Sequence, residues 1–169
     1  MSTIRDILVD SQRRLSNAGI ESASTESAEL LAHVLGVRRN RLLMQDSIDG
    51  KDRVAFERLL AKRLNRIPLQ HITGTAPFRR IELKVGPGVF IPRPESELVA
   101  EAAIRFLREC ENPIAVDLCS GSGAIALSLA LEVPGARVVG VELSADSFVW
   151  LQQNVNRFDC EIPVEIHQV

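Results

Sequence analysis

Along the first third of the chain, apolar residues return every three or four positions. Ile4, Ile7, Leu8 and Leu15 share one helical face, and Gly19 closes that segment. Ala28, Leu31, Ala32 and Leu35 form a second stripe, with Ser24 or Thr25 as its expected cap and Gly36 as its stop. A short helix is expected around Arg39–Met44. Another is expected from about Asp52 to Asn65, with Phe56, Leu59, Leu60 and Leu64 inward; Pro68 bars its continuation. Residues 1 to about 66 therefore read as a small helical bundle.

The period then changes. Thr73-Gly74-Thr75-Ala76-Pro77 has the residues of a loop, and Ile81–Val85 alternates as a strand does. Gly86-Pro87-Gly88 should turn the chain so that Val89-Phe90-Ile91 pairs back on that strand, ending at Pro92. An amphipathic helix follows from about Glu95, with Leu98, Val99, Ala102, Ala103, Phe106 and Leu107 inward. Ile114–Leu118 is apolar on both faces, the mark of a buried parallel strand. Gly121-Ser122-Gly123 leads into a helix over Ala124–Leu131. Arg137–Val141 is the next strand, a helix covers about Ala145–Arg157, and Pro163–Val169 begins a third strand. Strands alternating with helices predict an α/β sheet with right-handed crossovers.

Composition adds bounds. The 169 residues are 46% apolar and 25% charged, as in globular proteins. No apolar run reaches the roughly 20 residues of a membrane span, and no secretory signal opens the chain. Three scattered cysteines make no disulfide framework, so a cytoplasmic home is expected. His33, His71 and His167 lack metal spacing, and no metal is expected. Residues 1–66 carry 12 Lys/Arg against 9 Asp/Glu, whereas residues 67–169 carry 8 against 13. The basic excess sits at Arg38, Arg39 and Arg41 and at Lys62, Arg63 and Arg66. It reads as solvated helix faces or as a docking patch for an acidic partner; without interleaved aromatics, direct nucleic-acid binding is not expected.

Chemistry concentrates in Asp117-Leu118-Cys119-Ser120-Gly121-Ser122-Gly123, with Glu142 ending the next strand. Glycines at a strand-to-helix turn let a ligand approach the backbone. An acid about twenty residues on suits the two hydroxyls of a ribose. Asp117, placed before the glycines, would repel a pyrophosphate but can hold the amino group of a methionine moiety. That favours S-adenosylmethionine over a dinucleotide. Ser120 and Ser122 have no partnered His, which excludes a nucleophilic hydrolase.

Three segments carry a resemblance. Phe90-Ile91-Pro92-Arg93-Pro94-Glu95-Ser96-Glu97 is similar to the F-[IV]-P-R-P-E-[TS]-E segment of the PrmC/HemK family, the glutamine methyltransferases of peptide chain release factors. Pro68-Leu69-Gln70-His71-Ile72-Thr73-Gly74 resembles its P-x-Q-Y-[IL]-x-G connector, with His71 in the place of Tyr. Asp117–Ala126 resembles its D-L-G-T-G-T-G-A-I-A loop, with Cys119 for the first glycine.

The resemblance implies a helical substrate-docking domain over 1–72 and a β-hairpin linker over 73–94. It implies an incomplete, Rossmann-like class I methyltransferase domain over 95–169. It also implies methyl transfer from S-adenosylmethionine to the side-chain amide of the Gly-Gly-Gln glutamine in release factors. Asp117, Cys119, Ser120, Gly121, Ser122, Gly123, Glu142 and Phe90 are then the cofactor residues. Arg93, Pro94 and Glu95, with Glu97, are candidates for bracing the site or meeting the substrate.

The family's Asn-Pro-Pro-Tyr motif, which grips the substrate amide, does not occur in the sequence, so no catalytic residue is assigned. A fragment of the enzyme, binding cofactor weakly and turning nothing over, is expected. In the family's strand order Ile114–Leu118 would lie exposed at an edge, an aggregation hazard. The alternatives are a methyltransferase for a ribosomal-protein glutamine or an adenine amine, and a non-catalytic partner-binding fragment.

Overall fold

The computed structural model describes residues 3–45 and 47–169, in two compact units that meet at Thr73 and Gly74. The first unit is helical: α1 (Ile4–Asn17), α2 (Ala23–Leu35), a 3-10 helix (Arg39–Met44), α3 (Gly50–Leu64) and α4 (Leu69–Thr73). Its core is Ile4, Ile7, Leu15, Leu30, Leu31, Leu42, Phe56 and Leu60, all close to fully buried. Thr3 and Asp6 form a capping box on α1, and Asp49 caps α3 through the Asp52 N–H. α2 begins at Ala23, and Ser22 at its N-cap makes no side-chain cap bond, so the cap expected of Ser24 or Thr25 is not used. α4 lies in the connector that precedes Gly74.

Two members of the basic clusters serve the fold. Arg63 pairs with Glu26, both sparsely exposed, and Arg66 donates to the carbonyls of Ala18 and Gly19. Arg39 pairs with Glu29 at 3.2 Å.

The second unit opens with the hairpin β1 (Thr75–Phe78) and β2 (Ile81–Lys84), antiparallel with Phe78 opposite Ile81. The expected pairing is corrected here. Ile81–Lys84 pairs backwards with Thr75–Phe78, not forwards with Val89–Ile91, which form no strand. Pro77 is tolerated because β1 lies at an edge of this two-stranded sheet. Arg79, in the left-handed region at φ 50°, makes the tight turn with Arg80.

Then follow α5 (Ser96–Arg108), β3 (Ile114–Leu118), α6 (Ala124–Glu132), β4 (Arg137–Glu142), α7 (Ala145–Val155) and β5 (Glu165–Gln168). β3, β4 and β5 form a parallel sheet in that order. The hairpin's Ala76, Phe78, Leu83 and Val85 share one core with Ala100 and Ile104 of α5 and with Ala126 and Leu127 of α6.

Two burial expectations are corrected. On α5 the buried residues are Ala100, Ile104 and Leu107, whereas Leu98, Val99 and Phe106 are exposed. On β3, Ile114, Val116 and Leu118 are 58–71% exposed. The facing register explains the second. Ala115 and Asp117 stand beside Val138 and Gly140, and Leu151 of α7 approaches Gly140 on that face. Ile114, Val116 and Leu118 project from the opposite face. A parallel strand is normally covered on both sides; among the described residues, helices cover one side of β3.

Candidate functional site: a cleft at the β3–α6 turn

The end of β3 turns into α6 through Cys119–Gly123. Three of these five residues have positive φ: Cys119 at 61°, Gly121 at 57° and Gly123 at 83°. Such a turn persists only where its surroundings over-determine it. The Ser120 N–H donates to the Val141 carbonyl at 3.0 Å, and its hydroxyl donates to the Asp117 carbonyl at 2.8 Å. The Gly123 N–H closes back on the Ser120 carbonyl at 2.8 Å. Glu142, nearly buried, accepts the Gly121 N–H on Oε2 and the Ser144 N–H on Oε1, both at 2.8 Å.

An open cleft of about 190 Å³ lies over this turn. Its floor is Asp117–Ser122 with Ala124 and Ile125. Its other wall is Phe78, Phe90, Pro92, Arg93 and Ser96. Phe90 is 69% exposed, and the Arg93 guanidinium lies 5.3 Å from its ring centroid, a cation–π contact. Thus Asp117, Cys119, Ser120, Gly121 and Ser122 meet Phe90 and Arg93 in one place. Glu142 stands behind the turn, bonded to Gly121. Pro94 and Glu95 are exposed and do not line the cleft.

Two glycines of the turn differ in function. A Cβ on Gly121 would have nothing nearer than the Cys119 carbonyl at 4.0 Å, so its side stays open to a ligand. A Cβ on Gly123 would come within 2.8 Å of Leu151 Cδ1, so Gly123 admits α7. It also N-caps α6 in the left-handed conformation.

Asp117 is the electrostatic centre of the cleft. Burial pushes its carboxyl above the ordinary range and Glu142 adds to the rise, while the bond from the Ala126 N–H, at 3.1 Å, pulls it down. A cation held here would offset the desolvation of that carboxylate.

Two neighbours had no role assigned from the sequence. Phe78 and Ser96 line the cleft only because the hairpin and α5 meet there. Glu97 does not face it; its Oε1 accepts the Arg79 N–H at 2.9 Å. Trp150 donates from Nε1 to the Pro87 carbonyl at 3.0 Å, and Ser147 donates to the Gly88 carbonyl at 2.8 Å. The segment leading to Phe90 is thereby seated on α7. Among the described residues, no three His, Cys, Asp or Glu lie close enough together to hold a metal, and no helix is long and apolar enough to cross a membrane.

Residues 6–74 match the PrmC N-terminal domain family. The chain is 49% identical over 145 residues to the release factor glutamine methyltransferase of Streptomyces coelicolor, covering 85% of this chain and 51% of that protein. It is 44% identical over 160 residues to the enzyme of the same name from Bifidobacterium longum, covering 90% and 54%. Among solved structures it is similar to a putative transferase from Pyrococcus horikoshii, with a TM-score of 0.46 and 17% identity over 56% of this chain and 35% of that one. A likeness of that size carries no argument about chemistry. The chain spans about half the length of the curated relatives it matches. By sequence, then, it belongs to the PrmC family, the family of those release factor glutamine methyltransferases, over about half the length of its members.

Proposed function

We propose that this chain forms the cofactor-binding part of an S-adenosylmethionine-dependent methyltransferase acting on the Gly-Gly-Gln glutamine of peptide chain release factors. One observation carries the reading. The half-buried Asp117 carboxylate and a left-handed glycine turn open into the same cleft as Phe90 and Arg93, with Glu142 bonded directly beneath Gly121.

The residues fit the cofactor in shape and charge. Asp117 would take the methionine ammonium. The open side of Gly121 leaves room for the adenosyl group against the backbone. Each Glu142 oxygen accepts one backbone N–H and keeps a second lone pair for a ribose hydroxyl. When bound, the cofactor supplies a methyl group carried on a sulfonium. Phe90 offers an apolar wall, and Arg93 lies over it at the mouth, where an acceptor would enter.

An amide nitrogen is a weak nucleophile, so the reaction depends on orientation more than on a base. Asn-Pro-Pro-Tyr does not occur in the sequence, so none of these 169 residues is assigned the grip on the amide. In this proposal the helical segment up to residue 72 docks the protein substrate, 73–94 links, and 95–169 holds the cofactor.

Calorimetric titration of the 169-residue chain with S-adenosylmethionine tests the reading. Saturable heat is expected, weakened about tenfold or more by Glu142→Gln, which places an amide donor against a backbone N–H. Methyl incorporation into a release factor is expected to be nil for this chain. Absence of cofactor heat would remove the proposal.

A further inference from the structure

We infer that Asn154, which lies outside the cleft, is the positioning residue that holds the cofactor turn in its strained form. This rests on the cofactor reading above. Asn154 sits on α7 and is 0% exposed. Its Oδ1 accepts the Lys84 N–H at 2.7 Å, and its Nδ2 donates to the Lys84 carbonyl at 2.9 Å. One side chain thus completes both backbone groups of a β2 residue, as a neighbouring strand would. The second Nδ2 hydrogen goes to the Ser122 carbonyl at 2.9 Å. Both donors are used, and Arg157 adds a long contact to Oδ1 at 3.4 Å while donating to the Glu82 carbonyl at 3.1 Å.

The consequence lies at Ser122. This residue stands between Gly121 and Gly123, both in the left-handed region. Glu142 holds the turn from the β4 end through the Gly121 N–H, and Asn154 holds it from the α7 side through the Ser122 carbonyl. A strained turn relaxes when one of its constraints is removed. The carbonyl that Asn154 fixes is buried, so no water can take its place without rearrangement. Asn154 also ties that turn to β2, whose partner strand ends in the cleft residue Phe78. Floor and wall are therefore fixed to each other through a side chain that touches no ligand.

The test uses Asn154→Leu, the milder Asn154→Asp, and Leu107→Ala as a control for stability loss at a buried site in the last turn of α5. Asn154→Asp keeps the acceptor for Lys84 but sets a carboxylate against the carbonyls of Lys84 and Ser122. Two quantities are read: the dissociation constant for S-adenosylmethionine, and hydrogen exchange of the Gly121 and Gly123 amides without ligand. Either Asn154 variant is expected to bind about tenfold more weakly and to exchange these amides about tenfold faster than Leu107→Ala at matched stability. Wild-type affinity and exchange in a folded Asn154 variant would overturn the inference. If the wild-type chain binds no cofactor, the cofactor reading fails, and the exchange measurement still decides whether Asn154 holds the turn.

Discussion

At the scale of the residue, the cleft is governed by two side chains that the backbone and solvent resist. Cys119 occupies φ 61°, where an L-residue is disfavoured by roughly 1–2 kcal/mol. Glycine in its place would give back roughly 0.5–1 kcal/mol as unfolded-chain entropy. Cys119→Gly is therefore expected to stabilise the chain by about 0.5–1 kcal/mol, raising Tm by roughly 2 °C in a thermal melt.

Asp117 works in the opposite sense, because it is disfavoured as a charge and useful as one. Its folded pKa lies above the ordinary value of 3.8. The folded state thus holds this proton more tightly than the unfolded one. Stability falls as the pH rises through the interval from 3.8 to the raised value, and the loss is complete above it. Asp117→Asn should melt no lower than wild type at pH 7, and higher if the Ala126 N–H is kept. In the same variant, affinity for S-adenosylmethionine should drop about tenfold or more, since the charge-assisted bond to the ammonium is lost. Wild-type affinity should weaken on acidification through the raised Asp117 pKa, and the variant's profile should be flat. Titrations of both proteins at a series of pH values descending from neutrality towards 3.8, each with the fold checked by circular dichroism, decide this. Both residues were legible in sequence, because a strand-to-helix turn with glycines and flanking acids is a local pattern.

At the scale of the element, the hairpin shows what local pattern misses. The glycine-proline turn at residues 86–88 reads as a hairpin bend, yet β2 pairs back to Thr75–Phe78. The decisive group is Arg79, which has no turn signature. It makes a bidentate pair with Glu132, at 2.7 and 2.9 Å, and a further bond to Glu101 at 2.7 Å, while its own N–H reaches Glu97. These partners come from α5 and α6, distant in sequence, so the tight turn at Arg79 and Arg80 is fixed by tertiary ion pairing.

Glu132 is 5% exposed on its side chain, and Arg79→Ala would leave it buried with only the longer contact to the exposed Arg80 at 3.6 Å. The expected loss is about 3–5 kcal/mol in urea unfolding at pH 7. The Arg79 guanidinium lowers the Glu132 pKa below 4.5. The pair's contribution is therefore fully present above 4.5 and disappears as the pH falls through the depressed value. The gap between wild type and Arg79→Ala should narrow in acid. α5 was misread in a similar way: its apolar residues outnumber those that one packing face can bury, and only the neighbours choose Ala100, Ile104 and Leu107 over Leu98, Val99 and Phe106.

At the scale of the whole molecule, the parallel sheet offers an apolar face to solvent. Ile114, Val116 and Leu118 are each more than half exposed, and β3 is an edge strand. Both features favour association. The chain is expected to sediment as a concentration-dependent mixture, and Val116→Lys to shift it toward monomer with little change in Tm. Unchanged sedimentation of a folded Val116→Lys protein would count against that expectation.

The sequence by itself determined what is local. It set the helical first unit, the alternation of strands and helices, the left-handed turn after β3, and the placing of Asp117 and Glu142 at strand ends. Each follows from backbone conformation and periodicity within a few residues. Only the tertiary structure decided which strand β2 pairs with, which side of β3 is covered, that Phe78 and Ser96 wall the cleft, and that Asn154 holds Ser122. These depend on hydrogen bonds and packing between segments up to about seventy residues apart, and no short-range pattern records them.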